Sequence, residues 1–258
     1  MKVIIPMTGN GARFKSAGYS KLKPFIKING RPMIFWVTQL FKDFEIILVL
    51  RNNHWKELAY VRRDLKLYCP QVKIVLLDKW KKLGPANDVI EASNAIEDLS
   101  EEVIVAYCDF HAIWNTKKFL RIIKKNKADG AIPCYTGFHP HLLYPQNLYA
   151  SCKSTKDYQL IEIREKHQFS KKKSDDLISP GIYYFKSLQI MKNYCQILIN
   201  SNQSINGEYY CSLPFNFMKQ DGLKILTPPI VSHFCQWGTP HDLEDFNFWT
   251  KETFLAND

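Results

Sequence analysis

The sequence has no C-x-x-C pair, no run of 18 apolar residues, no G-x-x-x-x-G-K-[ST] loop and no G-x-G-x-x-G turn. Each gap removes a class of protein. Seven cysteines (Cys69, Cys108, Cys134, Cys152, Cys195, Cys211 and Cys235) are odd in number and scattered. That spacing argues against a zinc site or a disulfide frame and for free thiols in a reducing cytoplasm. Without a long apolar run no membrane span is expected. Lys2 is followed at once by a strand-like run and then Gly-Asn-Gly, which is not the layout of a signal peptide. Phe14 stands where the third glycine of a dinucleotide fingerprint would fall, so dinucleotide binding is disfavoured.

What is present suits one globular domain. The chain has 258 residues, 46% hydrophobic and 23% charged, enough for a sizeable core. Net charge is +10, with Lys117, Lys118, Arg121, Lys124, Lys125 and Lys127 on one helical stretch and Lys171 to Lys173 in a run. Such a surplus can bind nucleic acid, form a solvated face, or draw in small polyanions. The solvated face is the reading kept, with no nucleic-acid or membrane partner, and a monomer or homo-oligomer is expected.

Apolar runs at Val3–Met7, Glu45–Leu50, Lys73–Leu77, Val103–Cys108 and Gly130–Tyr135 read as strands buried on both faces. Between them, Pro32–Phe41, Trp55–Tyr68, Pro85–Ile96 and Lys117–Asn126 read as helices. The alternation predicts an α/β fold: a Rossmann-like mixed, mainly parallel sheet flanked by helices, with a smaller β-rich region. One domain is expected, with a nucleotide-binding half over 1–135 and an acceptor-binding half over 136–258. In the second half, "LYASCK" and "YQLIEIRE" read as a hairpin, "HQFSKKKSDD" as polar and mobile, and "GIYYF" as a strand. Helices are expected over 188–200 and 208–219. This half should form a wall beside the first sheet.

The first strand stops in "MTGNGAR". A strand, a tight glycine loop and a helix expose backbone N–H groups to an anion. Arg13 adds a planar fork for phosphate oxygens. Lys23 precedes Pro24, which restricts its backbone. "LGPANDV" starts a helix with Pro85 suited to the first turn. "VIVAYCDFH" ends a buried strand just before Asp109, a suitable position for a Mg²⁺ ligand, though an isolated aspartate there also serves as a turn former. His111, His139, His141 and His233 read as packing or surface histidines.

Taken in order, these segments resemble the sugar-phosphate nucleotidyltransferase family. "GNGARF…KLKPFIKINGRPMI" is similar to its G-x-G-T-R…P-K-P signature; "LGPAND", "YCDF", "IREK", "SPGIYYF", "NGEYY" and "QWGTPHDL" follow in the family's order. The resemblance covers residues 3 to about 245. It implies a nucleotide loop of Met7, Thr8, Gly9, Asn10 and Gly11, with Arg13 on the departing pyrophosphate and Lys23 near the α-phosphate. It implies a base wall of Gly84, Pro85 and Ala86, and Asp109 as the Mg²⁺ ligand. Acceptor binding falls to Glu162, Lys166, Gly181 and Glu208, with Lys166 on the acceptor phosphate. The partners implied are a nucleoside triphosphate and a phosphorylated small molecule.

Two departures stand out. Ala12 replaces the usual threonine, and Gln236 stands where members with a second acidic metal ligand have aspartate. Neutral glutamine is a poor Mg²⁺ ligand. Asp242 is the nearest acidic substitute and is not adopted. The variant motifs resemble a subgroup found with bacterial capsule and surface-glycan genes. That implies CTP and a phosphorylated amino acid such as phosphoglutamine, or else a sugar 1-phosphate. No acyltransferase-like β-helix is expected after "GTPHDLEDFNFW". Two other readings stay open: a GT-A glycosyltransferase using "DFH" (Asp109 to His111) for its metal, and a non-enzymatic binding module.

Overall fold

Val3, Ile4 and Ile5 are completely buried, and successive side chains enter opposite hydrophobic layers. The same period of two runs through Ile46 to Leu50 and through Val103 to Ala106, as it must for strands covered on both faces. A computed structural model describes residues 1–255, with side chains through Thr250. Its central sheet has seven strands in the order Ile225–Leu226, Gly130–Ala131, Ile182–Phe185, Val103–Ala106, Lys2–Pro6, Glu45–Arg51 and Lys73–Leu77. The last four are mutually parallel, whereas Ile182–Phe185 runs antiparallel to both of its neighbours.

Helices Met33–Gln39, Ala59–Tyr68 and Thr116–Asn126 cover one face through Ile34, Val37, Val61, Leu65, Phe119 and Ile123. Helices Pro85–Ser93, Leu188–Asn200 and Pro214–Gln220 cover the other through Val89, Met191, Leu198 and Phe215. Truncating one such buried aliphatic or aromatic side chain to alanine costs about 2–5 kcal/mol. The mixed, mainly parallel sheet flanked by helices is the expected fold.

Several boundaries differ from the sequence reading, each for a local reason. The helix expected over 55–68 is two, Asn52–Glu57 and Ala59–Tyr68, broken at Leu58 where ψ is 89°. Arg62 Nη1 caps the break by donating to the Lys56 carbonyl at 3.0 Å. The helix expected over 208–219 begins only at Pro214; Glu208 instead makes an isolated bridge with Ile205, and only 211–213 form a turn. Of the strand expected over 130–135 only Gly130–Ala131 joins the sheet ladder, and Cys134 and Tyr135 make isolated bridges. The "HQFSKKKSDD" segment is tethered: the Asp176 carboxylate accepts the N–H groups of Phe169 and Ser170, each at 2.8 Å.

The second half does build a wall, a three-stranded sheet of Ala150–Ser154, Leu160–Glu165 and Leu177–Ile178. It also contributes two strands to the central sheet, so that sheet crosses the expected division at 135/136. The C-terminal helix Pro240–Leu255 docks through Leu243 and the Phe246–Trp237 ring contact. No helix among the described residues is long and apolar enough to cross a membrane. All seven cysteines are free, and six are buried. The six cations over 117–127 line no part of the cleft described below and make no ion pair with another described residue.

Candidate active site

Lys2–Pro6 has the central sheet's next strand in chain order, Glu45–Arg51, on one side and Val103–Ala106 on the other. The chain order therefore reverses between Lys2–Pro6 and Val103–Ala106. In open α/β sheets a crevice opens at such a switch, beyond the carboxyl ends of the strands. A cleft of about 620 Å³ lies there. The loop after Pro6, the Tyr107–Asp109 turn, the start of helix Pro85–Ser93 and the three-stranded wall all contribute residues to it.

The loop is anchored at its root and free at its tip. Met7 N–H donates to the Val49 carbonyl at 2.8 Å. Thr8 is buried and donates its hydroxyl to Asp88, while its carbonyl accepts from Arg51 Nε at 2.5 Å. Gly9 and Asn10 are exposed, and Gly11 adopts φ +61° with Lys23 packed beside it. Arg13 lines the cleft with no hydrogen bond or ion pair to a described residue, leaving its guanidinium free for an anion.

At the cleft floor Lys23 Nζ lies 2.7 Å from Asp109 Oδ2, and both side chains remain about a quarter exposed (23% and 25%). Burial alone would depress the Lys23 ammonium; the Asp109 carboxylate overrides it, and the net shift is upward. The ammonium is therefore charged at neutral pH. Asp109 is fixed by its own main chain, whose carbonyl accepts the Trp237 N–H at 2.9 Å.

The opposite wall is assembled by a backbone clasp. Tyr209 N–H donates to the Leu83 carbonyl at 2.7 Å, and Ala86 N–H donates to the Tyr209 carbonyl at 3.0 Å. The clasp leaves Gly84 at φ +93°, where an added Cβ would meet Tyr209 N at 2.7 Å. It also turns Glu208 and Tyr210 into the cleft, with Tyr210 OH donating to Glu208 at 3.4 Å. Lys166, at φ +53°, is held by its N–H to the Tyr149 carbonyl at 2.9 Å, and its ammonium lies 5.6 Å from the Tyr210 ring centroid. Gly181 lies between these parts, its carbonyl accepting Tyr107 N–H at 3.0 Å.

No protein-family profile matches the chain. Over 235 residues it is 25% identical to the bifunctional protein GlmU of Caldicellulosiruptor saccharolyticus, covering 90% of this chain and 47% of that protein. The chain spans about half the length of the curated relatives it matches. A nucleoside-diphosphate-sugar pyrophosphorylase from Vibrio cholerae superposes with a TM-score of 0.74 at 20% identity, over 95% of this chain and 99% of that one. UDP-glucose pyrophosphorylase solved with UDP-glucose superposes at 0.72 and 14% identity, over 97% and 98%. The chain has the fold of the sugar-phosphate nucleotidyltransferases.

Within this nucleotidyltransferase fold most of the expected site residues come together. Met7, Thr8, Gly9, Asn10, Gly11, Arg13, Lys23, Gly84, Pro85, Asp109, Lys166, Gly181 and Glu208 all line the one cleft. Two do not. Ala86 is fully buried behind the wall and acts through its N–H in the clasp. Glu162 lies on the outer side of strand Leu160–Glu165, paired with Arg164 at 2.5 Å. Side chains alternate along a strand, so Ile163 and Glu165 point inward while Glu162 and Arg164 face away from the cleft.

Glu165 is the carboxylate that reaches the cleft, where it accepts the Ser212 hydroxyl. Burial pushes it up to about 7. The "IREK" stretch contained this residue, but only the face of the strand it occupies distinguishes it from Glu162. A carboxyl raised in the folded state favours folding when protonated. Its contribution is present below the ordinary carboxylate range and is lost as pH rises through about 7. Thermal midpoints should therefore fall between pH 5 and 8, and Glu165→Gln should flatten that fall; an unchanged slope in differential scanning fluorimetry would remove Glu165 as its source.

The donor set fits Mg²⁺ in one form only. Among the described residues no group of three His, Cys, Asp or Glu could cage an ion. Asp109 would hold it, and Gly238 keeps space open there, since even an added Cβ would stay 3.5 Å from Asp109 Oδ2. Mg²⁺ held by one or two carboxylates plus substrate phosphates needs no more. Gln236 is buried and donates to Asp242. Asp242 in turn accepts Thr239 N–H at 3.0 Å while its own N–H donates to Thr239 Oγ1 at 3.2 Å. This capping box starts the last helix and occupies the acidic substitute considered for the metal. His111 stacks on Trp237 at 6.1 Å and does not line the cleft, so "DFH" does not present a second metal donor there.

Proposed function

We propose that the chain is a nucleotidyltransferase that moves a nucleoside monophosphate, CMP by preference, from a triphosphate onto a phosphorylated small acceptor with Mg²⁺. The observation that carries this reading is the Lys23–Asp109 pair at 2.7 Å. It lies between an anion loop with a free Arg13 and a wall carrying Lys166.

A phosphate oxygen of the acceptor attacks the α-phosphorus. One P–O bond forms, the bond to the bridging β-oxygen breaks, and pyrophosphate leaves with the electron pair. The attacking oxygen is already anionic at neutral pH, so no general base is required. The barrier lies in bringing two polyanions into line, which calls for positioning and charge neutralisation. Arg13 would take the leaving pyrophosphate, Lys23 the α-phosphate and Lys166 the acceptor phosphate. Glu165 and Glu208 would accept hydrogen bonds from hydroxyl or amine groups of the acceptor. Mg²⁺ at Asp109 would supply further neutralisation of the phosphates.

The capsule-type motif variants support an acceptor that is a phosphorylated amino acid such as phosphoglutamine, or else a sugar 1-phosphate. The product would be an activated precursor for a capsule or surface polysaccharide, made in the cytoplasm by a monomer or homo-oligomer. Pyrophosphate release decides the reading, measured with Mg²⁺ for CTP, UTP, dTTP, GTP and ATP against sugar 1-phosphates, phosphocholine, glycerol phosphate and phosphoglutamine. Turnover with one triphosphate–acceptor pair is the expected result. Absence of both turnover and triphosphate binding would sink it; hydrolysis of a nucleotide sugar would favour a glycosyltransferase.

A further inference from the structure

In the cleft wall formed by the start of helix Pro85–Ser93 lies a charge that the proposed chemistry does not use. Asp88, in the first turn of helix Pro85–Ser93, is only 3% exposed yet lines the cleft. One carboxylate oxygen accepts the Thr8 hydroxyl, and the other accepts Trp80 Nε1 at 3.1 Å. Arg51 braces the group from behind. Its Nε holds the Thr8 carbonyl at 2.5 Å, and its guanidinium lies 3.3 Å from the Trp80 ring centroid. Arg51 itself does not line the cleft. The anion therefore faces the cleft and its countercharge faces away. Lys82, the cation on this wall, is exposed on a flexible stem.

A carboxylate only accepts hydrogen bonds, and two oxygens offer about four lone-pair sites. Thr8 and Trp80 take two, so the remaining capacity can be filled only by a donor. Thr8, Gly84, Pro85 and Asp88 line the same cleft, and Gly84 and Pro85 belong to the base wall that the nucleotidyltransferase reading implies. A base edge with an exocyclic amine meets this wall as a donor. A keto oxygen in the same place puts two acceptors together where water is scarce, which is unfavourable.

We propose that Asp88 makes the base pocket select cytosine, whose outer edge donates, over the keto pyrimidines uracil and thymine. The inference rests on the nucleotidyltransferase reading and names the residue that sets its nucleotide.

Binding without acceptor tests it. Calorimetry with Mg²⁺ would compare CTP, UTP, dTTP and a cytidine triphosphate analogue lacking the 4-amino group, on the native protein and on Asp88→Asn. On the native protein CTP should bind about tenfold or more tighter than UTP, dTTP and the analogue. Asp88→Asn should narrow the CTP/UTP ratio severalfold or reverse it, because an amide can turn its NH₂ toward a keto oxygen. Each ratio is taken within one protein, so loss of some folded material does not affect it. The analogue decides the matter on the native protein even where the variant fails to fold. Equal binding of CTP and UTP, a UTP preference, or an unchanged ratio in folded Asp88→Asn would overturn the role of Asp88 and leave the nucleotidyltransferase reading standing. Failure of every triphosphate to bind would instead overturn that reading.

Discussion

Replacing Lys23 by alanine should lower kcat/KM for pyrophosphate release by on the order of 10²–10³, the usual cost of losing one preorganised group at a developing charge. Two observations about Lys23 lead to this expectation. Its ammonium is kept charged by Asp109 at 2.7 Å, and Gly11 packs beside its backbone and Cβ, so the cation is held against the glycine loop. Asp109→Asn should cause a comparable loss, with weaker dependence on Mg²⁺ concentration. The double variant should lose far less than the product of the two, since the residues form one unit. Steady-state pyrophosphate release, with thermal midpoints to show that each variant folds, measures all three. A loss of only a few-fold for Lys23→Ala would make the pair a structural ion pair and remove it from catalysis.

Gly84→Ala should be among the most damaging single-methyl additions. The backbone there has φ +93° and ψ 175°, a region essentially reserved for glycine. The added Cβ would also come within 2.7 and 2.9 Å of Tyr209 main-chain N and O and 3.0 Å of Glu208 Cβ. Backbone strain and overpacking together cost about 2–5 kcal/mol, a drop in thermal midpoint of roughly 5–15 °C for a chain of this size. Gly222→Ala provides the comparison: φ is +79°, but nothing lies within 4 Å of the new methyl, so only the strain remains. The clasp argument also predicts a rise in acceptor KM for Gly84→Ala, because Glu208 and Tyr210 move with Tyr209. Equal midpoints for the two variants would show that the 83–86 and 208–210 segments do not depend on their close packing.

By itself the sequence determined the sheet, because continuous Val and Ile runs separated by amphipathic stretches have few solutions other than strands buried between helices. It also marked the glycine-loop end of the cleft as the candidate phosphate site. There the proposed phosphate contacts fall in nearly consecutive residues, Gly9 to Arg13 and Lys23-Pro24, whose backbone chemistry is local. The opposite wall of the cleft was legible only as fragments. The expected carboxylate was Glu162, three residues before the Glu165 of "IREK", and the alternation of one strand against its wall decides that Glu165 enters the cleft and Glu162 does not. Asp242 could be weighed as a metal ligand until the structure showed one of its oxygens taken by the capping box at Thr239 and the other by Gln236. Asp88 and Trp80 carried no signal, for a buried aspartate in a helix start reads as a cap. Only the tertiary structure brings Thr8, Asp88, Trp80 and Arg51 together, from three strands' ends and one helix, since hydrogen bonds between residues up to 80 apart leave no periodicity in the chain.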